Sequence, residues 1–234
     1  MCGRFAMNKE VDDMIVEFIA KTGRRAEEWR PSWNVKPTSM IPVVIESAAG
    51  TDTVERRIEF GRWSLVPPWA KELKLRFPTF NARSEDIMSK STWKGPVKSH
   101  RAIIPVSGYY EWKTAADGTK TPFYIHPPDG KTVALAGLYS WWPNKFLPED
   151  HEDFWTLTAT ILTSSAVDEL LGIHDRNPVP LPHDWWDDWL NPELVGDQNF
   201  VDAAVAAALP VASSLEIRQV APLKGDAPEL IEPV

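Results

Sequence analysis

Residues 101–126, RAIIPVSGYYEWKTAADGTKTPFYIH, decide the fold. The stretch opens with an apolar, β-branched run over Arg101–Val106. A second run, Tyr109–Lys113, and a third, Thr121–His126, flank a turn that contains Asp117-Gly118. Aromatic and β-branched residues on either side of Asp-Gly predict a β-hairpin. Downstream, Thr132–Trp141 and Phe154–Leu162 have the same character. Upstream, Ile41–Glu46 and Val54–Phe60 read as strands joined by the turn-rich AAGTD, and Arg62–Val66 as another. Residues 2–6 read as an extended start, and Glu216–Val220 and Glu229–Glu232 as closing strands. Helical signals sit around this β-rich centre. Val11, Met14, Ile15, Phe18 and Ile19 form an i, i+3, i+4, i+7, i+8 stripe, with Asn8 as N-cap and Gly23 as stop. Short helices are expected at Ser84–Ser89 and Ser165–Leu171, one at Pro182–Leu190 with proline in its first turn, and an Ala-rich one at Asp197–Leu209. The pattern predicts an α+β fold: a mainly antiparallel, barrel-like β-sheet core with peripheral helices. No repeat or linker interrupts it, so residues 1–234 read as a single domain.

Composition excludes several classes of protein. The chain holds one cysteine, which rules out an internal disulfide and a cysteine-based metal cluster. His126, His151 and His183 have no ligand spacing, so no metal or organic cofactor is expected. No run of 18 apolar residues is present and the N-terminus has no secretory signal, so neither a membrane span nor export is expected. A cytoplasmic protein, in a cytosol or nucleoid-containing compartment, is anticipated, and a monomeric one, because nothing marks an oligomer interface. Net charge is -8, which at first argues against nucleic acid. Residues 1–113, however, carry 19 Lys and Arg against 14 Asp and Glu, while the remainder carries 6 against 19. The N-terminal half can therefore present a basic face. The connection 67–81, PPWAKELKLRFPTFN, adds Lys71, Lys74, Arg76 and exposed-looking aromatics, and Lys90 lies nearby. Long loops of this kind are often functional.

The sharpest single residue is Cys2. Removal of Met1, expected before a small residue, leaves an N-terminal 1,2-aminothiol. Its amine, with a reference pKa of about 7.7–8.0, condenses with an aldehyde to a Schiff base. The thiol then closes on the same carbon to give a thiazolidine. The alternative is that Cys2 is a small buried hydrophobe. Gly3 leaves room for close approach and Arg4 supplies a cation suited to phosphate.

Nine blocks in order span almost the whole chain: MCGRFA (1–6), WNVKP (33–37), WSLVPPWA (63–70), NARSE (81–85), IIPVSGYYEW (103–112), LAGLYS (135–140), ILTSSA (161–166), IHDRNPV (173–179) and PELIEPV (228–234). Together they resemble the SOS response-associated peptidase (SRAP) family, whose members crosslink covalently to abasic sites in single-stranded DNA. The resemblance implies that Cys2 is the crosslinking residue. It further implies that Asn81 bonds near the reacting sugar, that Glu111 sits beside the lesion, and that His174 assists ring opening. By the same resemblance Arg4, Arg83 and Arg176 contact phosphates, and Asn34, Pro37 and Trp69 shape the strand's path. Between Tyr110 and Trp112 on a strand, Glu111 is expected to be partly desolvated, with a raised pKa suited to proton transfer; the alternative is a solvent-facing carboxylate, with Asn81 a turn cap and His174 a structural histidine. Two departures stand out. Asn177 replaces a common methionine, and VAPLKGD (220–226) replaces an asparagine-rich run, so that Ala221 and Pro222 remove polar groups. Two other functions fit the residues: an N-terminal-cysteine peptidase or amidase, with the α-amine as base, and a non-covalent single-strand-binding module using Trp69 and the arginines.

Overall fold

A computed structural model describes residues 2–48 and 53–234. Its strands and helices, in chain order, are β1 (Arg4–Met7), α1 (Val11–Phe18), β2 (Lys21–Thr22), β3 (Ser32–Val35), β4 (Met40–Ser47), β5 (Glu55–Trp63), β6 (Asn81–Arg83), α2 (Ser91–Ser99), β7 (Arg101–Val106), β8 (Gly108–Thr114), β9 (Lys120–His126), β10 (Val133–Pro143), β11 (Trp155–Ser165), β12 (Arg176–Pro178), α3 (Trp186–Leu190), α4 (Gln198–Ser213) and β13 (Glu216–Gln219).

Five strands close into a barrel. They run β5-β4-β7-β10-β11 through antiparallel pairs, and the ring shuts where β11 meets β5 in parallel, Thr158 opposite Arg62 and Ala159 opposite Trp63. Closure removes the exposed edges that an open sheet of this size would carry. The seam is tight at Gly61, where a Cβ would stand 2.7 Å from Leu157 Cγ and 3.0 Å from its carbonyl oxygen. A second, wholly antiparallel sheet runs β13-β9-β8-β1-β3. The expected α+β fold with a mainly antiparallel barrel is therefore present. β7 is buried at every position, because its two faces are both covered; this explains its continuous apolar run.

Arg101 begins β7 and is 1% exposed. Its guanidinium donates to five carbonyls: Trp189 (2.7 Å), Val97 and Lys98 (2.8 Å each), Asn191 (2.5 Å) and Leu194 (2.8 Å). It also lies 5.1 Å from the ring centroid of Phe200 in α4. One side chain thus ties the end of α2, the end of α3 and its following loop to the barrel, satisfying carbonyls that helix ends leave open.

Several local expectations are corrected. α1 starts after Glu10 rather than Asn8, whose side chain instead accepts from Ser107 Oγ at 2.6 Å. It stops at Ile19, which is left-handed at φ 49°, not at Gly23. Gly23 is needed for close approach: its N–H bonds Ile58 O at 2.9 Å, and a Cβ there would lie 2.3 Å from that oxygen. The strand expected at Arg62–Val66 is the tail of β5, ending at Trp63. The helices expected at Ser84–Ser89 and Ser165–Leu171 shrink to single 3₁₀ turns, Ile87–Ser89 and Asp168–Leu170. Glu229–Glu232 is not a strand; Pro228 opens a 3₁₀ turn through Ile231. α4 runs past Leu209 to Ser213, with Asp197 Oδ1 capping Phe200 N at 2.8 Å. Residues 49–52 of the expected AAGTD turn lie outside the described residues.

Candidate active site

The N-terminus is drawn into the structure by backbone pairing. β1 lies between β8 and β3, with Arg4 opposite Tyr110 and Phe5 opposite both Tyr109 and Val35. Glu111 is one residue beyond the Arg4–Tyr110 pair, beside the start of the chain. β8 is covered on both faces: Tyr109 joins the main core, and Tyr110 packs in a second cluster with Ala6, Tyr124 and Val220. Glu111 is consequently 2% exposed, not the solvent-facing carboxylate that strand alternation alone would give.

β11 brings the remaining residues in. Its C-terminal part pairs in parallel with β6, Ile161 opposite Asn81 and Thr163 opposite Arg83. It also pairs antiparallel with β12, Ser165 opposite Arg176. NARSE and IHDRNPV, ninety residues apart, thus flank one strand end. Asn81 reaches across to the N-terminus: its Nδ2 donates to the Cys2 carbonyl at 2.7 Å. Its Oδ1 is buried and has no hydrogen-bond partner among the described residues, leaving an acceptor free.

Electrostatics link the same groups. Cys2 is fully buried, and its Sγ lies 3.6 Å from Arg4 O. Burial first, and then the Glu111 carboxylate, push the thiol well above its ordinary range. Burial raises Glu111 to about 7, against the pull of the chain's N-terminal positive charge; Asp175 pushes it further up. His174 is lowered, first by burial and then by the same N-terminal charge, with Asp175 opposing. His174 Nδ1 accepts the Arg176 backbone N–H at 3.0 Å, which leaves the proton of a neutral ring on Nε2. Asp175 Oδ1 lies 2.9 Å from Nδ1 and favours the imidazolium. The arrangement can exchange protons near neutral pH through Glu111 and offer a donor from His174.

The anticipated nucleic-acid residues divide into groups. Arg4 and Asn34 are joined, Nη1 to Oδ1 at 2.6 Å, and Asn34 Nδ2 donates to Gly225 O at 2.5 Å. Pro37 stands half-buried in the turn after β3. Asn34 lines a cleft of about 570 Å³ with Arg25, Arg30 and Lys36. The Arg83 side chain is exposed and makes no hydrogen bond or ion pair among the described residues, while its backbone pairs with β11. Arg176 is held: it forms a two-point pair with Glu85 at 2.8 and 2.9 Å and donates to Thr163 O at 2.6 Å. Trp69 is 61% exposed, far more so than the buried Trp63. It lines a separate hollow of about 470 Å³ with Lys71, Lys74, Arg76 and Phe77.

Some participants escaped sequence reading. Glu85 lies inside NARSE, but only the fold shows its pairing with Arg176. Tyr109 is raised far above its usual pKa by burial, and secondarily by Cys2 and Glu111, which places it in their field. Asp226 fastens the segment 220–226 to β3 by accepting from Ser32 Oγ at 2.8 Å and Trp33 N at 2.6 Å. Ala221 and Pro222 are exposed, and Asn177 is turned inward, accepting from Val167 N at 3.1 Å and donating to Pro178 O at 2.6 Å. The Asn177 departure thus serves a buried loop. Among the described residues, no three His, Cys, Asp or Glu side chains group as a metal site, and no helix is long and apolar enough to cross a membrane.

The chain belongs to the SOS response associated peptidase (SRAP) family, whose sequence model matches residues 1–224. Among its relatives, the abasic site processing protein YoaM of Bacillus subtilis (strain 168) is 37% identical over 193 residues, covering 82% of this chain and 80% of YoaM. The abasic site processing protein YoqW of the same organism is 35% identical over 236 residues, covering 99% of each. The abasic site processing protein HMCES of Gallus gallus is 32% identical over 218 residues, covering 79% of this chain and 63% of HMCES. A crystal structure of a protein from Bacteroides thetaiotaomicron shares the fold with a TM-score of 0.81 over the full length of both chains, at 20% identity.

Proposed function

We propose that this protein captures the aldehyde of abasic sites in single-stranded DNA, through Cys2 exposed as the N-terminal residue by loss of Met1. The relatives' names as abasic site processing proteins support the DNA lesion as substrate. The observation that carries the chemistry is the 2.7 Å bond from Asn81 to the Cys2 carbonyl, which fixes the start of the chain beside a carboxyl of pKa about 7.

In this reading the strand is gripped through its phosphates by Arg4 and Arg83, and by Arg176 once a phosphate competes with Glu85. Asn34, Pro37 and Trp69 guide the strand around the lesion. The missing base leaves room for the sugar. Ring opening breaks the C1′–O4′ bond: Glu111 accepts the C1′ hydroxyl proton and His174 Nε2 gives a proton to O4′. The unprotonated Cys2 amine attacks C1′, and the carbinolamine loses water, with Glu111 returning its proton to the departing hydroxyl and the iminium N–H giving its proton back to His174, which leaves a neutral imine. The thiol then adds across the imine carbon while its proton passes to nitrogen. Aldehyde plus aminothiol thus gives thiazolidine plus one water. The free Oδ1 of Asn81 is available to hold a sugar hydroxyl.

The test is a uracil-containing oligonucleotide treated with uracil glycosylase and incubated with purified protein. A species that survives heat and denaturant is expected with the wild type, slower formation with Glu111→Gln or His174→Ala, and none with Cys2→Ala. An equal yield from Cys2→Ala overturns the reading, as does amide hydrolysis without any adduct.

A further inference from the structure

At the opposite end of β11 from Asn81 lies a cleft with a different chemistry. β11 runs from Trp155 to Ser165, 11 residues, and at about 3.3 Å each its ends stand roughly 33 Å apart. Two contiguous hollows of about 650 and 590 Å³ meet there and share Arg24, Glu59, Trp141 and Trp155 as walls. Trp155 is 48% exposed, a large apolar surface at the lip. Charge in the second hollow is lopsided. Arg25 is paired with Asp153 and, at 3.6 Å, with Glu28. Glu59 is occupied by the Arg24 N–H at 2.9 Å and by Arg57 at 3.4 Å. Glu27 and Glu152 line the same wall and take part in no ion pair among the described residues. The β10–β11 connection adds exposed Glu149 and Asp150 against a single Lys145, and Phe146 projects from it, 85% exposed. The cleft already accepts one guanidinium: Arg24 lies over Trp141, 4.7 Å from the ring centroid.

We infer that this cleft docks a Lys- and Arg-rich segment of a partner protein. A long basic side chain lays its methylenes on Trp155 and carries its charge between Glu27 and Glu152, while further basic residues meet Glu149 and Asp150. The carboxylates of Glu27, Glu28, Glu152 and Asp153 disfavour a nucleic-acid strand along the second hollow. The second hollow adjoins the Asn34 cleft, sharing Arg25, Glu28, Met40 and Phe60 with it, while the lesion end at Asn81 stays open to DNA when a partner is bound.

The probe is a fluorescein-labelled peptide of repeating Gly-Arg-Lys, titrated with the full-length protein and read by anisotropy. Saturable binding is expected, weakened roughly fivefold or more by Glu27→Gln with Glu152→Gln, and likewise by Trp155→Ala. A charge-matched control, Glu193→Gln with Glu229→Gln, is expected to bind as the wild type does. Equal weakening by the control reduces the effect to net charge and overturns the inference. So does an absence of binding, or unchanged binding in the cleft variants. The glutamine variants alter only exposed carboxylates, and circular dichroism verifies their fold. Crosslinking to abasic DNA is expected to be unchanged in all of them, so failure here leaves the Cys2 chemistry untouched.

Discussion

Glu111→Gln separates the stability and the chemistry of this site. The carboxyl is 2% exposed, and its pKa is raised from 4.5 in the unfolded chain to about 7 in the fold. The folded protein therefore holds that proton more tightly than the unfolded one. Between pH 4.5 and 7 the native state binds more protons, so stability falls as pH rises across this window and stays low above it. At about 1.4 kcal/mol per unit, the penalty above pH 7 amounts to about 3 kcal/mol. Glutamine matches the protonated acid in shape and never ionises. Urea denaturation should find the variant close to the wild type at pH 5 and about 3 kcal/mol more stable at pH 8, with an unchanged m-value. The same variant should form adduct slowly. An equal stability change at the two pH values, or a loss at pH 8, refutes the assignment of burial as the dominant influence on this group.

Arg101→Met should be the most damaging change far from the site. It leaves five carbonyls without their donor while relieving a buried charge whose own pKa burial has pulled down to about 10. The net loss expected is about 3–5 kcal/mol, read from the urea midpoint. Gly61→Ala should loosen the barrel seam, since the added carbon meets Leu157 Cγ at 2.7 Å; a lower melting temperature by differential scanning fluorimetry is expected. Trp69→Ala should weaken binding to undamaged single strands by about 1–3 kcal/mol if a base stacks there, measured by anisotropy at fixed salt, with no change in melting temperature.

The strands were legible because their residues repeat a physical pattern. The hairpin of β8 and β9 follows from aromatic residues on either side of Asp117-Gly118, β10 from a long apolar and aromatic run, and β11 from its repeated threonines and isoleucine. The ring closure was not legible, because the parallel pairing of β11 with β5 depends on long-range register that no local pattern encodes. Short pieces failed for a related reason. β6 and β12, with three residues each, exist only because β11 offers them partners. Helix ends moved where a side chain found a better tertiary partner, as Asn8 did with Ser107. Within the site, Cys2 was readable from its position and chemistry, whereas Asn81, Glu111 and His174 needed the family resemblance to stand out. Partial desolvation of Glu111 between Tyr110 and Trp112 was legible, but not its near-complete burial, because one strand face rests on the main core and the other on a small second cluster. The Arg176–Glu85 pair was hidden because its partners are ninety-one residues apart.

The claim on which the chemistry rests is that the nitrogen and sulfur of Cys2 both bond to the sugar carbon. Intact-mass measurement of the isolated protein–oligonucleotide adduct tests it directly. The expected mass is that of the chain without Met1 plus the abasic oligonucleotide less one water, with no free thiol left to alkylate. An adduct that retains Met1, or one whose thiol still reacts with iodoacetamide under denaturing conditions, contradicts the account.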